Sequence, residues 1–181
     1  MKSFRMKKLW KAISLSLCGI LTVGIIAGCG SENTVDKTTL KFGVTNFADT
    51  LEPTQNYFGW VVMRYAIGEC LAKFDEKMNV QPWLAESWSI SDDHLTWTFK
   101  IRDNVKFSNG NLVTAEAVKK SIERAFAKNT RAKTFFEYTE MKADGQNLII
   151  TTSKPQPNMP GFLADPLFII VDVTAEEQGR D

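Results

Sequence analysis

The stretch Glu86-Ser-Trp-Ser-Ile-Ser-Asp-Asp-His-Leu-Thr-Trp-Thr-Phe-Lys-Ile101 decides more about the fold than any other part of the 181-residue sequence. Apolar and polar residues alternate over 86–90 and again over 95–101, as in two strands that each bury one face. Between them, Ser91-Asp-Asp-His94 is typical of a turn. The sequence therefore predicts an antiparallel hairpin with an aromatic face.

The residues before this hairpin mix strand and helix signals. Alternation predicts a first strand over 40–44, and apolar residues spaced three to four apart predict a helix over 58–74. A turn over 75–79 then leads into 80–84, which we expect to be extended because Pro82 disfavours the helical region for the residue before it.

The residues after the hairpin continue the same mixture. Asn109-Gly110 predicts a turn, and Thr114 is placed to cap a helix over 115–126. Asp144-Gly145 predicts a second hairpin between 140–143 and 147–152. The apolar run 167–171 has the length of a buried strand. This order of elements indicates an α+β fold.

The first thirty residues have the form of a secretory signal, because a basic start over 1–11 precedes an uncharged run that ends in Ile26-Ala-Gly-Cys29. A single transmembrane helix is the alternative, since about 20 uncharged residues can cross a bilayer. Polar residues such as Ser14 and Thr22 interrupt the run, and the next charge after it is Glu32. These features favour a signal peptide.

Ala27 and Gly28 before Cys29 resemble a bacterial lipobox. That resemblance implies that residues 1–28 are a lipoprotein signal peptide, that Cys29 carries lipid such as palmitate, and that 29–39 is a flexible linker before a domain over 40–181. Two acyl chains anchor a protein stably. We therefore expect a cell-membrane lipoprotein on the extracytoplasmic face, periplasmic or extracellular.

Charge and composition argue against several classes of protein. Five of the 22 basic side chains lie in the signal, which leaves 17 against 21 acidic ones, so a nucleic-acid partner is not expected. Only Cys70 remains as a possible free thiol, and His94 is the only histidine, so we predict no metal site and no cofactor. A hydrolase needs a nucleophile with a positioned base, and we predict no catalytic residues.

Four ordered blocks resemble the signature of family 5 bacterial solute-binding proteins, which include oligopeptide, dipeptide and nickel-binding members. They are Pro82-Trp-Leu-Ala-Glu-Ser-Trp88, Asp92-Asp-His-Leu-Thr-Trp-Thr-Phe99, Ile101-Arg-Asp-Asn-Val-Lys-Phe-Ser-Asn-Gly110 and Thr114-Ala-Glu-Ala-Val-Lys119. The resemblance implies a periplasmic-binding-protein-like fold of type II. This sequence would supply the start of lobe I with its small α+β subdomain, and the second lobe is missing from it.

The resemblance also implies where ligand would lie. In the family, the loop after the first strand and the start of the following helix line the cleft, although a packed loop is an equal alternative. The corresponding residues here are Asn46, Phe47, Leu51, Asn56, Tyr57 and Trp60. Tyr57 and Trp60 are the favoured pair.

Two charged residues complete the expected site. Arg131 fits an arginine that nickel-binding members use on the carboxylates of a nickel chelate, and a guanidinium forks well onto a carboxylate. Those members place a second arginine where Asp165 stands here, which weakens the nickel interpretation; Asp165 would instead meet a ligand ammonium group. A solvated arginine and a turn-capping aspartate are the alternatives.

The resemblance implies a substrate-binding lipoprotein, not an enzyme, that captures oligopeptides, dipeptides or a nickel chelate for transmembrane transport by an ABC permease and its ATPase subunits. Two alternatives stay open. In the first, the protein would be a peptide-pheromone receptor in signalling. In the second, this sequence would be a truncated remnant that binds nothing.

Overall fold

A computed structural model describes residues 38–39, 43 and 49–179. The chain divides into one unit over 1–44 and a second over 45–181, and the elements below all belong to the second. The predicted signal peptide, the predicted strand over 40–44, Cys29, Asn46 and Phe47 lie outside the described residues.

The described residues form helices and strands in mixed order. The helices are α1 Phe58–Arg64, α2 Ala115–Lys128, α3 Ala132–Phe135, α4 Met159–Phe162 and α5 Val173–Glu177, with a 3₁₀ helix at Pro166–Phe168. The strands are β1 Ala72–Phe74, β2 Val80–Pro82, β3 Ala85–Ile90, β4 Thr96–Ile101, β5 Glu140–Asp144 and β6 Asn147–Thr151. The prediction of an α+β fold is confirmed.

The main sheet contains both predicted hairpins. Its four antiparallel strands lie in the order β3-β4-β6-β5, while β1 and β2 form a separate two-stranded sheet. Trp88 lies opposite Phe99 in the first hairpin, and Ala143 opposite Leu148 in the second. The Ser91 amide donates to the Thr96 carbonyl at 2.9 Å and closes the first turn. Gly145, in the second turn, has φ of 57°, which glycine adopts without steric cost.

The core lies between this sheet and α2. Phe99 and Ile101 of β4 and Leu148 of β6 are fully buried, as are Val118 and Ile122 of α2. Each such side chain contributes about 1.5–3 kcal/mol relative to an exposed one. Packing of the aromatic strand face against the apolar stripe of α2 is therefore what holds the elements together.

Helix α2 begins where the sequence predicted and runs two residues further, to Lys128. The Ala117 amide donates to Thr114 Oγ1 at 3.1 Å, which satisfies one of the amides that a helix leaves unpaired at its start. The predicted cap is therefore confirmed.

The predicted helix over 58–74 is wrong in its second half. Helix α1 ends at Arg64, and 72–74 is strand β1. Ala66 has φ of 55°, outside the helical region. A Cβ built on Gly68 would lie 2.6 Å from Ile169 Cγ2, so close packing against a distant segment fixes the chain after the helix.

The predicted strand over 167–171 is buried as expected but is not a strand. Pro166 starts a 3₁₀ helix, and the Leu167 amide donates to Asp165 Oδ1 at 2.9 Å. The Ile170 amide donates to the Glu69 carbonyl at 2.9 Å. A side-chain cap and a fixed proline φ thus favour a turn where the apolar run alone suggested extension. Within the described part of the chain, no helix has the length and hydropathy needed to cross a membrane.

Candidate ligand-binding site

Helix α1 presents two large aromatic side chains to solvent. Tyr57 is 72% exposed and Trp60 is 49% exposed, while Gly59 and Val62 of the same segment are buried. One side of this short helix therefore packs against the protein. Trp60 on the helix and Tyr57 directly before it face solvent, and they are the two aromatic residues that the sequence favoured for ligand. Each of these rings offers a large apolar area with a polar group at its edge, which suits contact with a ligand.

The loop and helix are held against two other segments of the chain. Asn129 Nδ2 donates to the Thr54 carbonyl oxygen at 2.7 Å. A Cβ built on Gly59 would lie 2.5 Å from the Pro166 carbonyl oxygen, so α1 approaches that backbone as closely as glycine permits. Asn129 is two residues before Arg131, and Pro166 directly follows Asp165. The fold thus joins α1 to the segments that carry both predicted charges.

Arg131 and Asp165 form an ion pair with each other. Arg131 Nη2 donates to Asp165 Oδ2 at 2.9 Å, and the guanidinium carbon lies 5.1 Å from the centre of the Phe135 ring. The Arg131 side chain is 35% exposed and that of Asp165 is 14% exposed. Asp165 also caps the 3₁₀ helix, because its Oδ1 accepts a hydrogen bond from the Leu167 amide. The turn-capping role that was the alternative for Asp165 is therefore present.

A buried thiol lies beneath this pair. Cys70 is fully buried, and its Sγ donates to the Asp165 carbonyl oxygen at 3.3 Å. Burial raises the pKa of Cys70 well above its usual range, and the nearby carboxylates of Asp165 and Glu69 act in the same direction. The thiol is therefore kept protonated and unreactive.

A groove of about 900 Å³ runs beside the packed side of α1, where Val62 lines it. It is bordered by the loop 50–53, the turn 105–109 and the segment 169–172, and Leu51 is the one predicted residue among the described ones that lines it. Tyr57, Trp60, Arg131 and Asp165 are not among its lining residues. The groove could not be predicted from the sequence, because its walls come from segments far apart in the chain.

The charged side chains of Arg124, Glu52 and Glu176, which line that groove, form ion pairs with one another. Arg124 of α2 donates to the carboxylates of Glu52 and Glu176. Burial opposes ionisation of Glu52, but hydrogen bonds from Arg124 and Thr54 lower its pKa to about 2. Hydrogen bonds from Arg124 and Lys128 lower the pKa of Glu176 to about 2 as well. Arg124, Lys128, Glu52 and Glu176 thus form an ion-pair network that stabilises the fold, and we call this network the clasp.

Metal ligands do not cluster in the described part of the chain: no group of three or more His, Cys, Asp or Glu side chains there has the geometry to hold a metal ion.

Comparison with known proteins identifies the family. A family model described as bacterial extracellular solute-binding proteins, family 5 Middle, matches residues 79–181. The nickel-binding protein NikA of Staphylococcus aureus is 29% identical over 152 residues, which cover 84% of this chain and 30% of that protein. The glutathione-binding protein GsiB of Shigella flexneri is 32% identical over 112 residues, covering 59% of this chain and 22% of that protein.

A solved structure agrees with these matches. The nickel ABC transporter structure from Bacillus halodurans is 40% identical, with a TM-score of 0.64, over 68% of this chain and 26% of that one. The chain thus spans about a third or less of the length of these relatives. Because the family model covers more than half of its residues, the chain belongs to family 5 of the bacterial extracellular solute-binding proteins.

Proposed function

We propose that this chain is part of the substrate-binding receptor of a bacterial ABC importer, and that it holds ligand at the surface formed by Tyr57, Trp60, Arg131 and Asp165. We call this surface the ligand face. The observation that carries the proposal is that the start of α1, with its two exposed aromatic rings, is held through Asn129 and Pro166 to the segments bearing a partly exposed ion pair.

The chemistry of the ligand face suits a small charged molecule. Tyr and Trp supply large contact area with few rotatable bonds, which keeps the entropic cost of binding low. A guanidinium recognises a carboxylate, and an aspartate recognises an ammonium group. The role of the face is binding, with the remainder of the cleft supplied by parts of the receptor that this chain does not include.

The choice of ligand class follows from Asp165. A peptide offers both a carboxylate for Arg131 and an ammonium group for Asp165, whereas the carboxylates of a nickel chelate would be repelled by Asp165. Relatives of both kinds exist, since one is named for nickel and another for glutathione, which is a peptide. We therefore propose a peptide as the ligand, with a nickel chelate as the alternative.

The proposed receptor is anchored to the membrane outside the cytoplasm, where it presents ligand to the permease and its ATPases. In this proposal residues 1–28 are a signal peptide, Cys29 is acylated, 29–39 is a linker and 40–181 belongs to the binding domain. Labelled palmitate fed to cells expressing the chain tests the anchor: incorporation is expected in the original chain and not in Cys29→Ser. Equal labelling of both would rule out Cys29 as the acylated residue.

Calorimetry on the full chain tests the ligand face. Glutathione and Ni²⁺ with histidine are titrated in turn into the original chain, Tyr57→Ala and Trp60→Ala. Loss of an aromatic anchor is expected to weaken binding about tenfold or more. The control is Met78→Ala, which removes another exposed apolar side chain, 71% exposed, from outside the ligand face. Binding that is equally strong in all four proteins would refute the site.

A further inference from the structure

Glu52 lies where the clasp meets the turn that leads into α1. Its Oε1 accepts hydrogen bonds from Arg124 Nη1 at 3.0 Å, from the Thr54 amide at 2.9 Å and from the Thr54 hydroxyl. The Glu52 side chain is 23% exposed, and Thr54 is buried. One carboxylate therefore holds a side chain of α2 and the backbone of the turn at the same time.

The turn that begins at Glu52 continues directly into α1. The Gln55 amide donates to the Glu52 carbonyl oxygen at 3.2 Å. The Phe58 amide, at the first residue of α1, donates to the Gln55 carbonyl oxygen at 3.1 Å, and Tyr57 lies between these two residues. The direction in which Tyr57 leaves the backbone therefore depends on how the turn is held at Glu52.

Thr54 connects the same turn to Arg131. The Thr54 carbonyl oxygen accepts a hydrogen bond from Asn129 Nδ2 at 2.7 Å, and Asn129 Oδ1 accepts one from the Arg131 amide at 2.9 Å. Hydrogen bonds thus run without a break from Glu52, through Thr54 and Asn129, to the residue that carries the guanidinium of the ligand face.

We propose that Glu52 is a positioning residue of the ligand face, which acts through Thr54 and Asn129 to fix Tyr57 and Arg131 relative to each other. This inference rests on the proposed function, because the surface that Glu52 positions is the ligand face. The clasp then has a second role besides stability, since it holds the turn before α1 in the geometry that ligand requires.

The hydrogen bonds at Glu52 call for a carboxylate. An ionised carboxylate has acceptors only, so it can accept from a guanidinium and from Thr54 together. The side-chain amide of glutamine has one oxygen, and its NH₂ group would face either Arg124 or the Thr54 amide, both of which are donors. Glu52→Gln is therefore expected to lose one of the two connections while keeping nearly the same side-chain volume.

Glu176 provides a matched control within the clasp. It accepts from the same guanidinium, with Arg124 Nη2 at 3.0 Å from Glu176 Oε1, but it belongs to α5 and not to the turn before α1. A purely structural clasp predicts that Glu52→Gln and Glu176→Gln both lower stability and that neither changes the affinity of the folded protein for ligand. A positioning role predicts that Glu52→Gln alone lowers the affinity.

The test makes two measurements on the full chain, at a temperature where every variant is folded. Calorimetry gives the affinity for glutathione, and NMR of the ligand-free protein follows the Trp60 indole N–H and the Arg131 backbone amide. Glu52→Gln is expected to weaken binding about fivefold and to shift both signals, while Glu176→Gln changes neither. Thr54→Val, which removes only the hydroxyl that donates to Glu52, is the second variant in case the first does not fold, and it is expected to act in the same direction.

The positioning role is overturned if Glu52→Gln leaves the affinity unchanged, or if Glu176→Gln weakens binding as much. Failure of the proposed function is read separately, as the absence of glutathione binding in the original chain. In that case the ligand-free signals decide the matter alone: signals that do not move in Glu52→Gln overturn the inference, and signals that move there but not in Glu176→Gln support it.

Discussion

At the scale of single residues, Gly59 determines where the two exposed rings lie. Its backbone contacts leave no room for a side chain, since an added Cβ would approach the carbonyl oxygens of Pro166 and Pro53 at 2.5 Å and 2.9 Å. Backbone atoms cannot give way as a flexible side chain can. The position of α1, and with it the direction of Tyr57 and Trp60, depends on this close approach.

Gly59→Ala is expected to lower the free energy of unfolding by about 1–3 kcal/mol, the usual cost of overpacking, and to weaken ligand binding. Urea denaturation measures the first effect. Gly161→Ala is the matched control, because an added Cβ there meets Phe74 Cζ at an ordinary 3.6 Å. If both substitutions leave stability unchanged, α1 does not pack against Pro166 as described.

At the scale of elements, α2 connects the core to the ligand face. Its apolar stripe covers the sheet, its start is capped by Thr114, and its end leads through Asn129 to Arg131. A substitution at either end of α2 is therefore expected to change both the packing of the core and the position of the backbone that carries Arg131.

Thr114→Ala is expected to lower the free energy of unfolding by about 1 kcal/mol, because the Ala117 amide loses its acceptor. Thr114→Ser keeps a hydroxyl oxygen at the same position and is expected to be nearly neutral. Thermal or urea unfolding of the three proteins checks this. Equal losses in both variants would mean that the methyl group, and not the cap, is what matters.

Elements with a local signal were predictable from the sequence. Turn residues and alternation specified both hairpins, and the Thr114 cap with its following stripe specified α2. Residues 65–74 were not predictable, because Gly68 packs there against Ile169, about a hundred residues away. At 167–171 the local signal of Asp165 and Pro166 was present, but the apolar run outweighed it in the prediction.

For the candidate site, the sequence could suggest individual residues but not the contacts between them. The resemblance pointed to Tyr57, Trp60, Arg131 and Asp165, and alternatives were open for each. No local pattern reveals that Arg131 and Asp165 pair with each other, since 34 residues separate them.

At the scale of the whole described unit, a clasp of charges joins three segments that lie far apart in the sequence. Arg124 holds Glu52, before α1, and Glu176, on α5. The pKa of each carboxylate falls from an ordinary 4.5 to about 2 on folding, so each is more acidic in the folded state. Their contribution to stability is fully present above the unfolded value and is lost as pH falls through the folded one.

Stability is therefore expected to decrease between about pH 5 and about pH 2, and less steeply in Arg124→Met. Partial exposure of Glu176, at 38%, keeps its share modest. Unfolding midpoints measured across this pH range check the claim. Lys142→Met, which breaks the exposed pair with Glu140, is the control and should retain the original slope. An unchanged slope in Arg124→Met would show that the clasp does not set acid stability.

Backbone amide NMR of the full chain during titration with glutathione locates the bound ligand residue by residue. The largest chemical-shift changes are expected at the ligand face, on Tyr57, Trp60, Arg131 and Asp165. Changes concentrated instead at 105–109 and 169–172, with none on the ligand face, would place the ligand in the groove lined by those segments and contradict the proposed site.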